Sequence, residues 1–177
     1  MALVAHVLKE GASADAGLLV LRVAVGLLVL GHAVQKSLGR LGGDGLAATA
    51  AIFERVGYRP GRPMVVIAAA SETVGAVLLI AGLVTPLAGA IVAAVMVVAC
   101  SVHWPYGVWA AQRGFELPLT FGIAGATLAL VGPGRWSLDA AFGIDLPAWS
   151  GAAALAVCLA GAAALIAVRA VNQRRPS

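Results

Sequence analysis

Apolar and polar positions follow one another along this chain in long blocks rather than in the two-residue alternation of strands. Five stretches, roughly 18–38, 64–84, 87–103, 117–131 and 149–171, approach the length of about 20 apolar residues that a helix needs to cross a bilayer, the fourth being short. Between the second and third, GLVTPL leaves room only for a tight turn: Gly82 stops one helix and Pro86 suits the first position of the next, which makes the two antiparallel neighbours. Between the first and second, GGDGLAATAAIFERVGYRPGRP predicts a short helix capped by Asp44. Its Leu46, Ala50, Phe53 and Val56 share one face, so it lies along the membrane surface with Phe53 dipped into lipid. WPYGVWAAQRGFE puts Trp104, Tyr106 and Trp109 in a loop at headgroup depth, and GPGRWSLDAAFGIDLP is rich in turn residues, with Arg135 and Trp136 suited to the interface. The pattern predicts an all-α integral membrane protein, a single transmembrane domain over 1–177. Four helices form an antiparallel bundle, with a fifth, C-terminal transmembrane helix added and a short interfacial helix in the first loop.

Composition agrees. Hydrophobic residues make up 61% of the chain and charged ones 11%, with a mean hydropathy of +0.96, against about a quarter charged in soluble domains. The net charge of +4 is gathered at the ends of the spans rather than in a nucleic-acid-binding patch. Arg40, Arg55, Arg59, Arg62, Arg113, Arg169, Arg174 and Arg175 fall on one side of the membrane, Lys9 and Arg135 on the other. By the positive-inside bias the N-terminus faces out and the C-terminus faces the cytoplasm. The N-terminal lead carries Lys9 beside Glu10 and Asp15, and Arg22 interrupts its apolar part, so it reads as a retained anchor. Cys100 and Cys158 lie in apolar runs without dithiol or metal-ligand spacing, so packing is their expected role and no metal site is expected.

A charge within a membrane helix costs about 2.5 to 3.5 kcal/mol, so Arg22, Lys36 and Glu72 demand partners. Positions 22, 29 and 36 share one helical stripe and His32 sits one turn before Lys36, which gives the first span a single polar face. The up-and-down order brings the end of the first span, the start of the second, the end of the third and the start of the fourth to one side of the membrane. His32, Gln35, Lys36, His103 and Glu116 then occupy one layer, with Glu72 about 15 Å into the second span, within reach of either His32 or Arg22. A polar chamber near the cytoplasmic end is expected. Simpler roles stand beside it: an Arg22–Glu72 pair that fixes register, Lys36 snorkelling to headgroups, Glu116 at a helix N-terminus, and His103 as an interfacial residue.

The stretches LLVLRVAVGLLVLGHAVQKSLG, ASETVGAVLLIAGLVTP and ELPLTFGIAGATLALVGPGRWSLD resemble the DoxX family of small membrane proteins, over about residues 18–142. The resemblance implies a four-helix membrane bundle, leaving the fifth helix as an addition. It also implies association with redox assemblies in a bacterial cytoplasmic membrane. Related proteins include the membrane subunit of a thiosulfate:quinone oxidoreductase and membrane partners of soluble redox enzymes. Arg22, His32, Gln35, Lys36, Glu72, Glu116, Arg135, Trp136, Ser137 and Asp139 fall in the matching motifs, the last four as a structural motif.

Function follows as an expectation. A quinone site needs hydrogen-bond donors at a carbonyl and groups able to pass protons. His32, Gln35 and Lys36 would donate, Arg22 would line the ligand site, Glu72, His103 and Glu116 would relay protons, and Glu72 and His32 are the candidates for proton transfer. The sequence has no dinucleotide fingerprint, redox CxxC or iron–sulfur ligand set, so a soluble redox enzyme would bring the electrons. The alternative is a non-catalytic scaffold that anchors such an enzyme or another membrane protein. It is supported by the basic side, the aromatic loop, and the small face of Ala154, Cys158 and Ala162, which also suits a homodimer. A b-type haem between His32 and His103 is a third reading with slender grounds, and the chain is short for a transporter built from inverted repeats.

Overall fold

The computed structural model describes residues 2–174, with side chains from residue 11 onward. Arg175 and the side chain of Lys9, both used above to orient the chain, lie outside the described residues.

The first helix, α1 (Ala2–Leu38), begins well before residue 18 and runs through the polar lead. Nothing there breaks a helix: the lead holds no proline, and a glycine such as Gly11 or Gly17 costs only about 1 kcal/mol relative to alanine. After the short α2 (Gly45–Arg55) comes α3 (Gly61–Ala81), which starts three residues ahead of the apolar pattern. Its Arg62 and Pro63 are polar or helix-breaking by composition but stand in the first turn, where the backbone N–H groups lack intrahelical partners and proline does no harm. At its end Gly82 turns left-handed (φ 64°). The Gly82 and Leu83 amides donate back to the Leu79 and Leu78 carbonyls at 3.1 and 3.0 Å, closing the helix. The turn is as tight as GLVTPL predicts, for α4 (Thr85–His103) follows at once with Pro86 in its first turn. Beyond the aromatic loop lie α5 (Glu116–Val131), the single turn α6 (Leu138–Ala141) and α7 (Ser150–Arg174). No strand occurs among the described residues.

Among the described residues, four helices are long and apolar enough to cross a membrane: Gly11–Leu38, Gly61–Ala81, Thr85–Tyr106 and Ser150–Arg174. α5 is equally apolar but has only 16 residues. The molecule is a multi-pass membrane protein, and Leu27, Leu28, Val66, Ile67, Val77, Ile123 and Val157, exposed on its outer faces, contact lipid.

Two details of α2 depart from the sequence expectation. Asp44 precedes the helix but makes no side-chain cap, because its backbone is already helical (φ −82°, ψ −17°) and the carboxylate is not aimed back at the free amides, as an extended backbone would aim it. Phe53 is half-buried, its ring tilted against Tyr58 with centroids 5.9 Å apart, rather than standing out into lipid.

Small residues set the helix packing, as expected where lipid gives no hydrophobic drive between helices. α3 lies against α1 and α4, and α4 against α5 and α7. A methyl group on Gly125 of α5 would stand 2.9 Å from the Gly89 carbonyl and 3.1 Å from the Ala93 amide of α4; one on Gly89 would stand 2.7 Å from the Ala129 amide. Backbone cannot yield to such a group. Gly89→Leu is expected to lower stability by about 3 kcal/mol, roughly 5–10 °C in the thermal midpoint of the micelle-extracted protein; an unchanged midpoint would show that α4 and α5 do not meet here. Around this contact Val25, Val29, Ala76, Leu79, Ala88, Val92, Met96, Phe121 and Leu128 form the core.

On α7, Cys158 and Ala162 turn inward to an apolar groove of about 190 Å³ against Ser71 of α3 and Ile91, Ala94, Val95 and Val98 of α4. Arg169 of α7 donates to the Val56 carbonyl at 2.7 Å and to the Ser101 carbonyl at 2.9 Å, with its guanidinium 5.7 Å from the centre of the Tyr58 ring. The end of α7 thereby closes over the ends of α2 and α4.

Candidate functional site

Helix geometry decides which charges meet. Every Cα–Cβ bond in a helix leans toward its N-terminus. Along the α1–α3 contact, falling numbers on α1 meet rising numbers on α3: Lys36 lies by Glu72, Gly26 packs on Ala76 and Ile80, and Arg22 reaches Leu79 and Ile80. Lys36 therefore leans down the bundle and Glu72 leans up, toward each other, whereas Arg22 leans away from both.

Lys36 Nζ donates to Glu72 Oε1 in an ion pair. The carboxylate is 2% exposed and the lysine side chain 26%, so the ammonium draws on the polar edge of the bundle while the acid is held inside. The sequence left Glu72 to pair with Arg22 or His32; it pairs with Lys36. The other carboxylate oxygen, Oε2, is buried with no hydrogen-bond partner, an uncompensated acceptor in a low-dielectric interior.

Beside this pair lies a cavity of about 170 Å³, lined by His32 and Lys36 of α1, Glu72 of α3, Met96, Ala99 and His103 of α4, and Leu117, Pro118 and Phe121 of α5. Four helices contribute to it, and every titratable group in its wall was a sequence candidate. The apolar wall was not foreseen: Met96, Leu117 and Phe121 carry no signal that separates them from other core residues. Phe121 presents its ring edge-on to His32, with centroids 6.0 Å apart. His32 Nδ1 is 3.1 Å from Gln35 Oε1, and Gln35 Nε2 donates to the Leu41 carbonyl at 3.0 Å. His103 Nδ1 lies 2.8 Å from the Arg113 carbonyl. Gln35 thus braces His32 rather than lining the cavity.

Glu116 is not in the wall. Its Oε2 accepts from the Ala110 amide at 2.8 Å and ties down the aromatic loop, where Trp104 and Phe115 stack 5.0 Å apart.

Arg22 stands about 21 Å from Lys36 along α1, at the opposite end of the bundle. It is 1% exposed and donates to the carbonyls of Leu79 (3.4 Å), Ile80 (3.2 Å) and Trp136. The first two belong to the last turn of α3, where the helix dipole is negative and the Ile80 carbonyl lacks a helical partner, while that of Leu79 also accepts from the Gly82 amide. The GRWSLD stretch completes a clasp there. Asp139 accepts from the Val84 and Thr85 amides at 2.7 and 3.1 Å, capping α4, and its own amide donates to the Gly82 carbonyl at 2.9 Å. Ser137 caps α6 by accepting from the Ala140 amide at 3.1 Å, and Arg135 is held by Asp15, whose two oxygens accept from its amide (2.8 Å) and from Nε (2.6 Å). Asp15 had no assigned role in the sequence reading; only its distance of 120 positions from Arg135 hid the pair.

The protein is thus a multi-pass helical bundle with an apolar core, a cavity walled by charged groups at one end and an arginine–aspartate clasp at the other. Residues 17–104 match the family model described as DoxX, and through this domain the chain belongs to the DoxX family. The match takes in α1 from residue 17, α2, α3 and α4 and ends at residue 104, so α5 and the GRWSLD clasp lie beyond it. No curated protein and no solved structure matches the chain.

Proposed function

We propose that this protein is the membrane subunit of a redox assembly and binds a quinone, or a similar small ligand with an apolar body and an oxygen-bearing ring, in the cavity between His32, Glu72 and His103. The observation that carries the reading is Glu72: a carboxylate 2% exposed, paired on one oxygen with Lys36 and without a partner on the other, set in a cavity wall with two histidines. Intramembrane acids of this kind mark ligand or proton pathways. At about 170 Å³ the cavity is smaller than the roughly 300–1,000 Å³ of pockets that enclose a whole drug-sized ligand. It suits a single ring, with an isoprenoid tail left among the lipid-facing side chains. His32, Glu72 and His103 supply groups that exchange protons, while electrons arrive from a soluble partner enzyme.

In this reading the chain is one domain in which α1, α3, α4 and the shorter α5 run up and down across a bacterial cytoplasmic membrane as an antiparallel four-helix bundle, with α7 as an added fifth crossing. The Lys36 end faces the cytoplasm, because Arg40, Arg55, Arg59, Arg62 and Arg113 collect there. That end also exposes Trp104, Tyr106 and Trp109, where a soluble partner would dock.

Glu72→Gln and His32→Ala are each expected to weaken binding of a short-tailed benzoquinone, in whichever redox form binds, about tenfold or more, since each removes a charged or directional polar contact. Calorimetric titration of the micelle-extracted protein measures this, and unchanged affinity in both variants would remove the basis of the reading.

A further inference from the structure

We infer that the cavity selects the reduced, hydroxyl-bearing form of its ring ligand, a hydroquinone or related phenol, over the carbonyl form; this rests on the reading above that the cavity is a ligand site. Hydrogen-bond donors and acceptors around the cavity decide this. The Leu41 carbonyl can only accept, so the nitrogen of the Gln35 amide must face it, as it does at 3.0 Å, and Gln35 Oε1 is turned to His32. An amide oxygen also only accepts, so His32 Nδ1, 3.1 Å away, carries the proton. In the neutral ring, which has one N–H, His32 Nε2 is then a bare lone pair.

His103 reaches the same state by another route. Its Nδ1 lies 2.8 Å from the Arg113 carbonyl, again an acceptor, so Nδ1 holds the hydrogen and Nε2 the lone pair. Neither Nε2 has a protein partner among the described residues. Glu72 Oε2 is a third acceptor without a partner. Lys36 Nζ is the one strong donor in the wall, and Glu72 Oε1 holds it.

The polar atoms left for a ligand are therefore acceptors. A quinone carbonyl would set lone pair against lone pair, whereas the hydroxyl of a hydroquinone donates to any of the three. A site whose buried polar groups are satisfied by a ligand hydroxyl rejects the analogue that lacks it, because those groups are then left unpaired. Gln35 is the positioning residue in this arrangement: it touches no ligand and fixes which nitrogen of His32 is bare.

The test titrates decylhydroquinone and decylbenzoquinone, without oxygen, into the full chain in micelles. The hydroquinone is expected to bind at least about tenfold more tightly, the equivalent of one buried hydrogen bond. In Gln35→Leu protein, where His32 is free to change tautomer, the ratio of the two affinities is expected to fall toward one with little change in thermal midpoint. Nitrogen-15 spectra of labelled histidine, assigned with His32→Ala and His103→Ala proteins, are expected to show the hydrogen on Nδ1 of both rings. Equal affinities, a preference for the benzoquinone, or a hydrogen on Nε2 of either ring would overturn the selectivity and leave the ligand site standing. Binding of neither form would overturn the ligand site and the selectivity with it.

Discussion

Lys36→Met destabilises the protein by about 3–5 kcal/mol, and adding Glu72→Met recovers most of that loss. The single change strips its cation from a carboxylate that is 2% exposed, and breaking a buried pair from one side leaves an uncompensated charge, which is the costly case. Replacing both partners with apolar groups of similar volume removes the demand altogether and is often neutral or better. Thermal unfolding in micelles, with tryptophan fluorescence as the probe, measures both. A Lys36→Met protein as stable as the original would mean that Lys36 is solvated at the membrane edge, and a double variant as weak as the single would mean that packing, not charge, is at stake. The double variant also separates architecture from function: it is expected to be folded and yet to bind the ring ligand about tenfold or more weakly, as Glu72→Gln does. Wild-type affinity in that protein would show that the ion pair is a fastener only.

The sequence pattern reaches far into this structure, and where it stops the reason is physical. Helix positions are legible because hydrocarbon imposes length and apolarity, and turn chemistry marks Gly82 and Pro86. The start of α1 at Ala2 is not, since hydropathy locates the lipid-crossing part of a helix and says nothing of polar turns stacked before it. That the titratable residues of the cavity come from layers at one end of several helices is legible from counting rises of 1.5 Å per residue. The pairing of Glu72 is not. Levels alone put it between Arg22 and His32, while the lean of side chains toward each helix N-terminus, which requires knowing how α1 and α3 face each other, gives it Lys36. The role of Gln35 was hidden for a similar reason, because its partner is the Leu41 carbonyl of a loop that no residue pattern places.

Arg22 gives the second large effect. Arg22→Met takes the guanidinium donor from the Ile80 and Trp136 carbonyl oxygens and leaves the Leu79 carbonyl with the Gly82 amide alone. Each orphaned group costs about 1–3 kcal/mol, so the two together cost about 2–6 kcal/mol and reach the size at which a single substitution is exceptional. The expected result is a sharply lowered thermal midpoint and a reduced yield of folded protein after extraction. Arg22→Lys keeps the charge but loses the planar fork that serves three oxygens on two segments, so it is expected to fold with a lowered midpoint. With the guanidinium about 21 Å from Lys36 along the helix, that protein should bind the ring ligand as tightly as the original does. Two outcomes would contradict the clasp. An Arg22→Lys protein with an unchanged midpoint would show that the carbonyls find other donors, and one with an unchanged midpoint but weakened ligand binding would return Arg22 to the ligand site, where its sequence position first suggested it belonged.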